Sequence, residues 1–336
     1  MPIIDLGLVT EAAGIELVES VSVLHSAEPV VIEPRGALDD GSLAWAVRVL
    51  RRLPAPTVLV GEPDLPTELV ESVDVCLTSV SDPPRPWACA GVDEMFAVVD
   101  RQPLAALSLV VLLRNTGQLS TWSAVAEESA TYAMLLGSSS FHEWLTSRGP
   151  GHHKTAERPP VHAERHGDVL RLTLDRPEVR NAIDSATRDA LVEFLTVADV
   201  DPGLSVEIRG NGPCFSAGGD REEFGAVRDP SVAHAVRLTR HPGLALDSVA
   251  SRTTCFVHGQ CVGAGVEIPA FAGNVIADPT STFSLPEVAM GLVPGAGGTV
   301  SIPRRVGRQR AAWLALTGSV IDTKTALEWG LVDRIG

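Results

Sequence analysis

The most constraining feature of the sequence is a strand that ends in a glycine-rich turn and continues directly into a helix. It spans residues 253–273 and reads TTCFVHGQCVGAGVEIPAFAG. Such a turn leaves unpaired backbone N–H groups at the start of the helix, and the helix dipole adds to their attraction for negative charge. The pattern predicts a helix that begins near Ala264 and Gly265. It also predicts Pro269 in the first helical turn, where the missing N–H of proline costs little.

A second turn of the same kind follows an earlier predicted strand. The strand is SVEIRG, residues 205–210, and the turn is FSAGGD, residues 215–220. If the two strands are neighbours in a parallel sheet, each turn can direct one N–H group to a single oxygen atom. That arrangement is an oxyanion hole. On the turns alone, ordinary strand-to-helix connections remain the alternative, because glycine clusters are common in loops.

The order of patterns along the chain predicts four regions. The first region, residues 1–91, contains alternating strand and helix patterns over residues 29–80, which are typical of a parallel sheet covered by helices. Residues 92–148 have helical apolar spacing throughout. Residues 149–160 combine glycine, proline and charge without apolar periodicity, which indicates a linker. A second α/β region begins at residue 161.

Composition excludes several classes of protein. The net charge of −15 argues against a nucleic-acid partner, since phosphate contacts need a basic surface. The longest apolar run, PLAALSLVVLL, is shorter than the roughly 20 residues that cross a bilayer. The odd count of 5 cysteines, without a CxxC pair, favours reduced thiols over a disulfide framework. We therefore expect a cytoplasmic protein with no membrane partner.

Five segments of the second α/β region occur in a characteristic order and spacing. They are RPEVRNAI (176–183), FSAGGD (215–220), GQCVGAGVE (259–267), FSLPEVAMGLVPGAGGT (283–299) and TGSVIDTKTALEWGLVDRI (317–335). Together they resemble the crotonase family, the enoyl-CoA hydratases and isomerases, from residue 165 to the end. The resemblance implies an α/β fold in which ββα repeats build a parallel β-sheet superhelix. In this chain an N-terminal α/β region and a helical region precede that core.

The resemblance also implies the residues of an active site. A CoA thioester carbonyl would lie between the backbone N–H groups of Ala217 and Ala264. The glutamates Glu267 and Glu287 would face a water and the reacting carbons. The strip that lines the thioester is implied to be Ala217, Gly218, Gly219 and Asp220, beside Ala264. The site needs no metal and no separate cofactor, because coenzyme A is part of the substrate.

The chemistry of hydration requires these groups. Addition of water to a conjugated thioester needs an oxyanion hole for the enolate-like charge, a base for the water proton and an acid that protonates Cα. Which of Glu267 and Glu287 is the acid stays open, since a close pair can titrate jointly. Enoyl-CoA isomerisation or another enolate reaction is the alternative within the family. A non-catalytic partner protein of the same fold is the alternative outside catalysis.

The order of the regions suggests a rearrangement. In most crotonases, helices that follow the GLVDRI position cover the substrate and build a trimer, and the resemblance ends at that position here. We expect the helices of residues 92–148 to stand in for those C-terminal helices. Residues 1–91 are expected to be a degenerate α/β region with a structural role. The resemblance further implies a homo-oligomer, either a trimer or a hexamer.

Overall fold

The computed structural model describes residues 3–4, 19–24, 28–34, 39–149 and 159–336. The N-terminal part has these elements: β1 Ile3–Ile4, β2 Val30–Ile32, α1 Asp40–Leu50, β3 Thr57–Val60, α2 Thr67–Ser72, β4 Val75–Thr78 and β5 Ala88–Cys89. The strands form one parallel sheet in the order β1-β2-β3-β4-β5. The apolar runs of β2 and β4 are buried throughout, as in parallel strands covered by helices. The strand–helix alternation predicted for this part is confirmed.

The helical region consists of four helices: α3 Asp93–Arg101, α4 Pro103–Thr116, α5 Thr121–Leu136 and α6 Ser139–Arg148. The prediction of helix for residues 92–148 is confirmed. The predicted linker of residues 149–160 falls largely on residues 150–158, which lie outside the described residues. Within the described ranges, no single helix is long and apolar enough to cross a bilayer, although α3 and α4, bent by 110°, pass that criterion as a pair.

The second α/β part is built on a six-stranded sheet. Its strands are β6 Val161–His166, β7 Val169–Leu174, β8 Ser205–Gly210, β9 Thr253–Val257, β11 Asn274–Ala277 and β14 Arg334–Ile335. The strand order is β14-β11-β9-β8-β7-β6, and every pair is parallel except β6 with β7. Because β8 and β9 are neighbours, the turns that follow them lie at the same edge of the sheet.

A smaller sheet and seven helices complete this part. The small sheet has the order β10-β12-β13, with β10 parallel to β12. The remaining bounds are α7 Ser185–Val200, α8 Pro230–Thr239, α9 Pro242–Asp247, β10 Gln260–Val262, α10 Ala264–Glu267, β12 Thr282–Ser284, α11 Gly298–Val306, α12 Arg308–Thr317, β13 Ile321–Asp322 and α13 Thr323–Trp329.

The helical region shares its hydrophobic core with the second α/β part. Leu109 of α4 and Val125 of α5 belong to the same buried cluster as Leu172 of β7. The N-terminal sheet divides between two clusters, because alternate residues of its strands belong to this shared cluster (Val58, Val75, Leu77 and Ala88) or to a separate one (Val30, Ile32, Leu59 and Cys76). Polar contacts add to this packing, and one of them involves Asp74, whose side chain is 1 % exposed. That carboxylate pairs with Arg114 of α4 at 2.6 Å and with Arg308 of α12 at 3.3 Å. The three parts therefore form a continuous packed structure.

Candidate active site

The glycine turn after β9 and β10 starts a helix where the sequence predicts one. Helix α10 begins at Ala264, and Gly263 before it has φ +50°, a backbone conformation that disfavours residues with a side chain. The helix is a single turn that ends at Glu267, and Pro269 opens a separate 3₁₀ turn. The prediction that Pro269 lies in the first helical turn is wrong. Proline has no N–H for the next helical hydrogen bond, so the helix stops before it.

The two glycine turns border one pocket of about 370 Å³. The predicted site residues that line it are Gly219, Asp220, Ala264, Glu267 and Glu287. The predicted residues Ala217 and Gly218 are absent from its lining. A pocket of this size, with a few polar groups, is of the kind that binds small molecules.

The unpaired backbone amide on the FSAGGD strip is not the one predicted from the sequence. The Ala217 N–H donates a hydrogen bond to the carbonyl of Arg180 at 2.9 Å, so it is not free for a ligand. The N–H of Gly219, two residues later, has no hydrogen-bond partner among the described residues, and Gly219 lines the pocket. The structure therefore contradicts Ala217 as a free donor and leaves the Gly219 amide as the candidate on this strip. The N–H of Ala264, the predicted second donor, is likewise unpaired within the described structure.

Gly218 lets the two glycine turns lie close to each other. A Cβ atom on Gly218 would lie 2.7 Å from the carbonyl oxygen of Val262, and 3.8 Å from the nitrogen of Ala264. Gly218 also has φ +93°, which favours glycine. The FSAGGD strip therefore passes directly beside the start of α10.

Glu267 is buried and held by a neighbouring loop. Its side chain is 2 % exposed, and its Oε2 accepts hydrogen bonds from the amides of Ala296 at 2.7 Å and Gly298 at 2.9 Å. Burial raises the pKa of Glu267 well above its ordinary value, the charges of Glu287 and Glu128 raise it further, and the two amides oppose the rise. The carboxyl group is thus fixed in orientation while its charged form is disfavoured.

Glu287 lies beside Glu267 at the start of α10. A Cβ atom on Gly263 would lie 2.2 Å from Oε1 of Glu287 and 3.8 Å from Oε1 of Glu267. The Oε2 of Glu287 is buried without a hydrogen-bond partner in the described part of the chain. Burial, with a contribution from the charge of Glu128, raises the pKa of Glu287 to about 7. The structure therefore brings the two predicted acids together at the pocket.

Replacing Gly263 by alanine should disturb this pair. The new Cβ would overlap Oε1 of Glu287, and the φ of +50° would strain the backbone by about 1–3 kcal/mol. Urea unfolding should show that loss of stability. The matched control is Gly117→Ala, because an added Cβ there meets nothing within 4 Å and the backbone is right-handed helical. Equal stability of the two variants would contradict the geometry.

A third carboxylate, Glu128 of α5, was not predicted from the sequence. It is 1 % exposed, and it accepts hydrogen bonds from the Gly297 amide at 2.7 Å, the Thr299 amide at 2.9 Å and the Thr299 hydroxyl at 2.7 Å. Burial raises the pKa of Glu128 to about 7, against these hydrogen bonds. The sequence carries one signal for it: Glu128 falls at helical spacing among the apolar residues Ala124, Val125 and Tyr132, which α5 buries.

The loop of residues 296–299 is consequently bound from two sides. Its successive amides alternate between the two carboxylates: Ala296 and Gly298 donate to Glu267, whereas Gly297 and Thr299 donate to Glu128. A residue of the helical region thus fixes the same loop that orients a predicted catalytic acid. The helical region also contributes Tyr132 and Leu136 to the pocket lining.

Known proteins match the second α/β part. A model of the family described as enoyl-CoA hydratase/isomerase matches residues 164–336. Mevalonyl-coenzyme A hydratase sidH of Aspergillus fumigatus is 35% identical over 168 residues, which cover 50% of this chain and 62% of that protein. The 2,3-dehydroadipyl-CoA hydratase of Escherichia coli is 36% identical over 169 residues, which cover 50% of this chain and 65% of that protein.

A solved structure gives a similar result. Pseudomonas aeruginosa DspI superposes with a TM-score of 0.50 and 26% identity, covering 55% of this chain and 71% of that chain. The chain spans less than two thirds of the length of either curated relative. The N-terminal sheet and the whole helical region lie outside the match to the family.

Proposed function

Because this chain belongs to the enoyl-CoA hydratase/isomerase family, we propose that it adds water across the double bond of a 2-enoyl-CoA thioester and catalyses the reverse dehydration. Residues 164–336 have the crotonase fold of that family. The observation that carries the proposal is the meeting of two buried carboxyl groups with two unpaired amides at one pocket. Coenzyme A enters as part of the substrate.

The amides would stabilise the charge that develops during the reaction. With the thioester oxygen between the N–H groups of Gly219 and Ala264, attack at Cβ moves the double-bond electrons onto that oxygen as an enolate. Preorganised donors in a buried site lower the energy of such an oxyanion and need no reorganisation as the charge forms. Gly219 and Ala264 are suited to this role because neither amide has another partner among the described residues.

The two glutamates would move the protons. One carboxylate takes a proton from water as the oxygen bonds to Cβ, and the other carboxyl group delivers a proton to Cα as the enolate electrons return. Glu267 and Glu287 have raised pKa values because they are buried together, which favours a pair that holds one proton. After one turnover the proton has changed places, and exchange with water restores the pair.

The helical region has a part in this proposal. Residues 92–148 stand in for the helices that follow the GLVDRI position in most crotonases, since α5 supplies Glu128, Tyr132 and Leu136 to the loop and the pocket. Residues 1–91 act as a structural unit, anchored to α4 and α12 through Asp74. The names of the relatives include mevalonyl and dehydroadipyl thioesters, so similarity leaves the acyl group open.

The test is a turnover assay with a short 2-enoyl-CoA. The absorbance of the conjugated thioester should fall as water is added, and the product should be the 3-hydroxyacyl-CoA. Conversion of a 3-enoyl-CoA to the 2-enoyl-CoA without hydration would favour the isomerase alternative. No turnover across a panel of acyl-CoA thioesters, together with specific binding of a protein partner, would favour the non-catalytic alternative.

An infrared measurement tests the oxyanion hole separately. A bound thioester labelled with ¹³C at its carbonyl should absorb at lower frequency than in water, since donation from the Gly219 and Ala264 amides weakens the C=O bond. The two references are the same labelled thioester alone in buffer and the same thioester mixed with the unfolded protein. An unshifted carbonyl band in the bound state would contradict the assignment of the two donors.

A further inference from the structure

One face of α8 forms a wall of the pocket and carries a cation. Ala233, Val236, Arg237 and Arg240 line the pocket, at the spacing of three and four residues that places side chains on one helix face. The guanidinium carbon of Arg237 lies 3.8 Å from the centre of the Tyr132 ring. Arg237 is therefore held against the wall that α5 contributes.

Tyr132 connects this cation with the loop of residues 296–299. The tyrosine is 5 % exposed, and a Cβ atom on Gly295 would lie 2.3 Å from its ring. Gly295 precedes the loop whose amides hold Glu267. Arg237 thus belongs to the same cavity as the two acids.

Arg237 forms no ion pair within the part of the chain that the structure describes, although carboxylates line the same pocket. Each of those carboxylates outside the catalytic pair has another partner: Asp184 and Asp220 lie 3.1 Å from Arg176, and Glu223 accepts hydrogen bonds from the Ser185 amide and hydroxyl. The buried Glu128 interacts with Arg237 through its charge, but no carboxylate of the described residues lies within ion-pair distance of this guanidinium.

The other arginines of the pocket differ from Arg237. Arg188 pairs with Asp189 at 2.8 Å, and Arg240 pairs with Glu193 at 3.5 Å. A half-buried guanidinium without such a partner is costly, because it has lost part of its hydration. An anionic ligand would supply the direct ion pair that Arg237 lacks among the described residues.

A second polar group of the wall lacks a partner. His241 is 5 % exposed and lines the pocket, and its Nδ1 accepts the Leu244 amide at 3.1 Å as the N-cap of α9. Burial, with the charge of Arg237, lowers the pKa of His241 to about 4, so the ring is neutral and its proton lies on Nε2. That Nε2 is buried without a hydrogen-bond partner among the described residues. A donor is thus available beside the guanidinium.

Part of the remaining pocket wall is apolar. Its lining includes Leu136, Ile183, Phe224, Val236 and Ile268. Such a wall suits methylene groups, whereas an unpaired guanidinium suits a carboxylate, with which it forms charge-assisted hydrogen bonds. A single ligand that satisfies both is an acyl chain with an acidic end.

We propose that the pocket selects an acyl group that ends in a carboxylate, which Arg237 binds through its guanidinium while the Nε2–H of His241 serves as a second donor. This inference rests on the proposed function, because it concerns the acyl part of the same thioester. It assigns Arg237 a role in specificity, separate from the proton transfers at Glu267 and Glu287.

The test compares two thioesters that differ only at the end of the acyl chain. The substrates are hex-2-enoyl-CoA and hex-2-enedioyl-CoA, and the readout is the ratio of their kcat/KM values. The unaltered protein should prefer the dioyl thioester, and Arg237→Gln should lower the ratio by about tenfold to a hundredfold, the range expected for loss of a charge-assisted hydrogen bond. His241→Asn, which keeps an N-cap oxygen for Leu244, should lower it by less.

The control is Arg165→Gln on β6, which removes an exposed arginine paired with Asp201 and should leave the ratio unchanged. A protein that hydrates both thioesters equally well, with no change of ratio in Arg237→Gln, would overturn the inference and leave the proposed function standing. The inference would also be overturned if Arg237→Gln weakened the binding of both thioesters and of free CoA by the same factor, since Arg237 would then bind a CoA phosphate.

Calorimetry separates this inference from the proposed function. The saturated pair hexanoyl-CoA and hexanedioyl-CoA cannot be hydrated, so their binding is independent of turnover. Tighter binding of hexanedioyl-CoA that is lost in Arg237→Gln supports the inference, even if neither enoyl thioester is hydrated. Equal affinities for the two saturated thioesters would overturn it.

Discussion

Replacing Glu267 or Glu287 by glutamine is expected to lower kcat for hydration of a 2-enoyl-CoA by about a hundredfold to ten-thousandfold, the range that a general acid or base contributes. Glutamine has nearly the same size and can still hydrogen-bond, but it neither accepts nor delivers a proton. The Glu267 change also affects a carboxylate that holds the Ala296 and Gly298 amides. The measurement is the initial rate of absorbance loss at saturating substrate.

The control for both changes is Glu62→Gln, which alters an exposed carboxylate of the N-terminal part. Binding of a saturated acyl-CoA should persist in both active-site variants, which separates lost chemistry from lost structure. Full hydratase activity in either variant would contradict the two-carboxylate mechanism. Isomerase activity that survives with only one glutamate intact would instead support the isomerase alternative.

The pH dependence of the same reaction follows from the shared proton. Burial raises the pKa of Glu287 to about 7 and that of Glu267 well above its ordinary value. With both groups protonated no base is present, so the rate should rise as pH increases through about 7 and the pair loses its first proton. The rate should fall at higher pH, when the second proton leaves and no acid remains. If the rate of hydration instead rose with pH near the ordinary pKa of glutamate, the burial of the pair would be contradicted.

Replacing Glu128 by alanine is expected to lower both stability and activity, although this residue would not contact the substrate. Three donors of Gly297 and Thr299 would lose their acceptor inside the protein. Each stranded buried donor costs about 1–3 kcal/mol, so a loss of several kcal/mol is expected in urea unfolding. With the loop released, Glu267 loses its fixed orientation, and kcat should fall by about tenfold or more.

A milder change keeps the prediction testable if the alanine variant does not fold. Glu128→Gln retains one acceptor oxygen but places an NH₂ group against donors. We expect it to lower kcat by a larger factor than it lowers the affinity for substrate. Glu127→Gln is the matched control, because Glu127 is the adjacent residue of α5 and is exposed. Unchanged kcat in Glu128→Gln would show that the loop keeps its form without the carboxylate.

The sequence predicted the parts of the site that depend on local pattern. The start of α10 at Ala264 was predictable because a glycine turn after a buried strand has few alternatives, and this prediction is confirmed. The pairing of β8 with β9 follows from two apolar strands in a parallel sheet. The proximity of Glu267 and Glu287 came from the family resemblance, since nothing local connects residues 20 positions apart.

The remaining features depend on contacts between distant residues. Ala217 and Gly219 are equivalent by local pattern, and only the Arg180 carbonyl, which occupies the Ala217 amide, distinguishes them. Glu128 and the Gly297 amide are separated by 169 residues, so no spacing rule connects them. Likewise, no local pattern distinguishes Arg237 from other helix arginines, and its contact with Tyr132 and its place in the pocket lining depend on the fold.

The hydrogen bonds that hold the 296–299 loop from two sides bear on where this protein can be cut into fragments. Similarity draws a boundary at residue 164, and a fragment cut there would keep both glutamates and both free amides. It would lack Glu128, which accepts three of the hydrogen bonds that fix the loop. The unit that fixes the 296–299 loop is therefore larger than the homologous one, and a fragment cut at the alignment boundary would lose the carboxylate on which this loop depends.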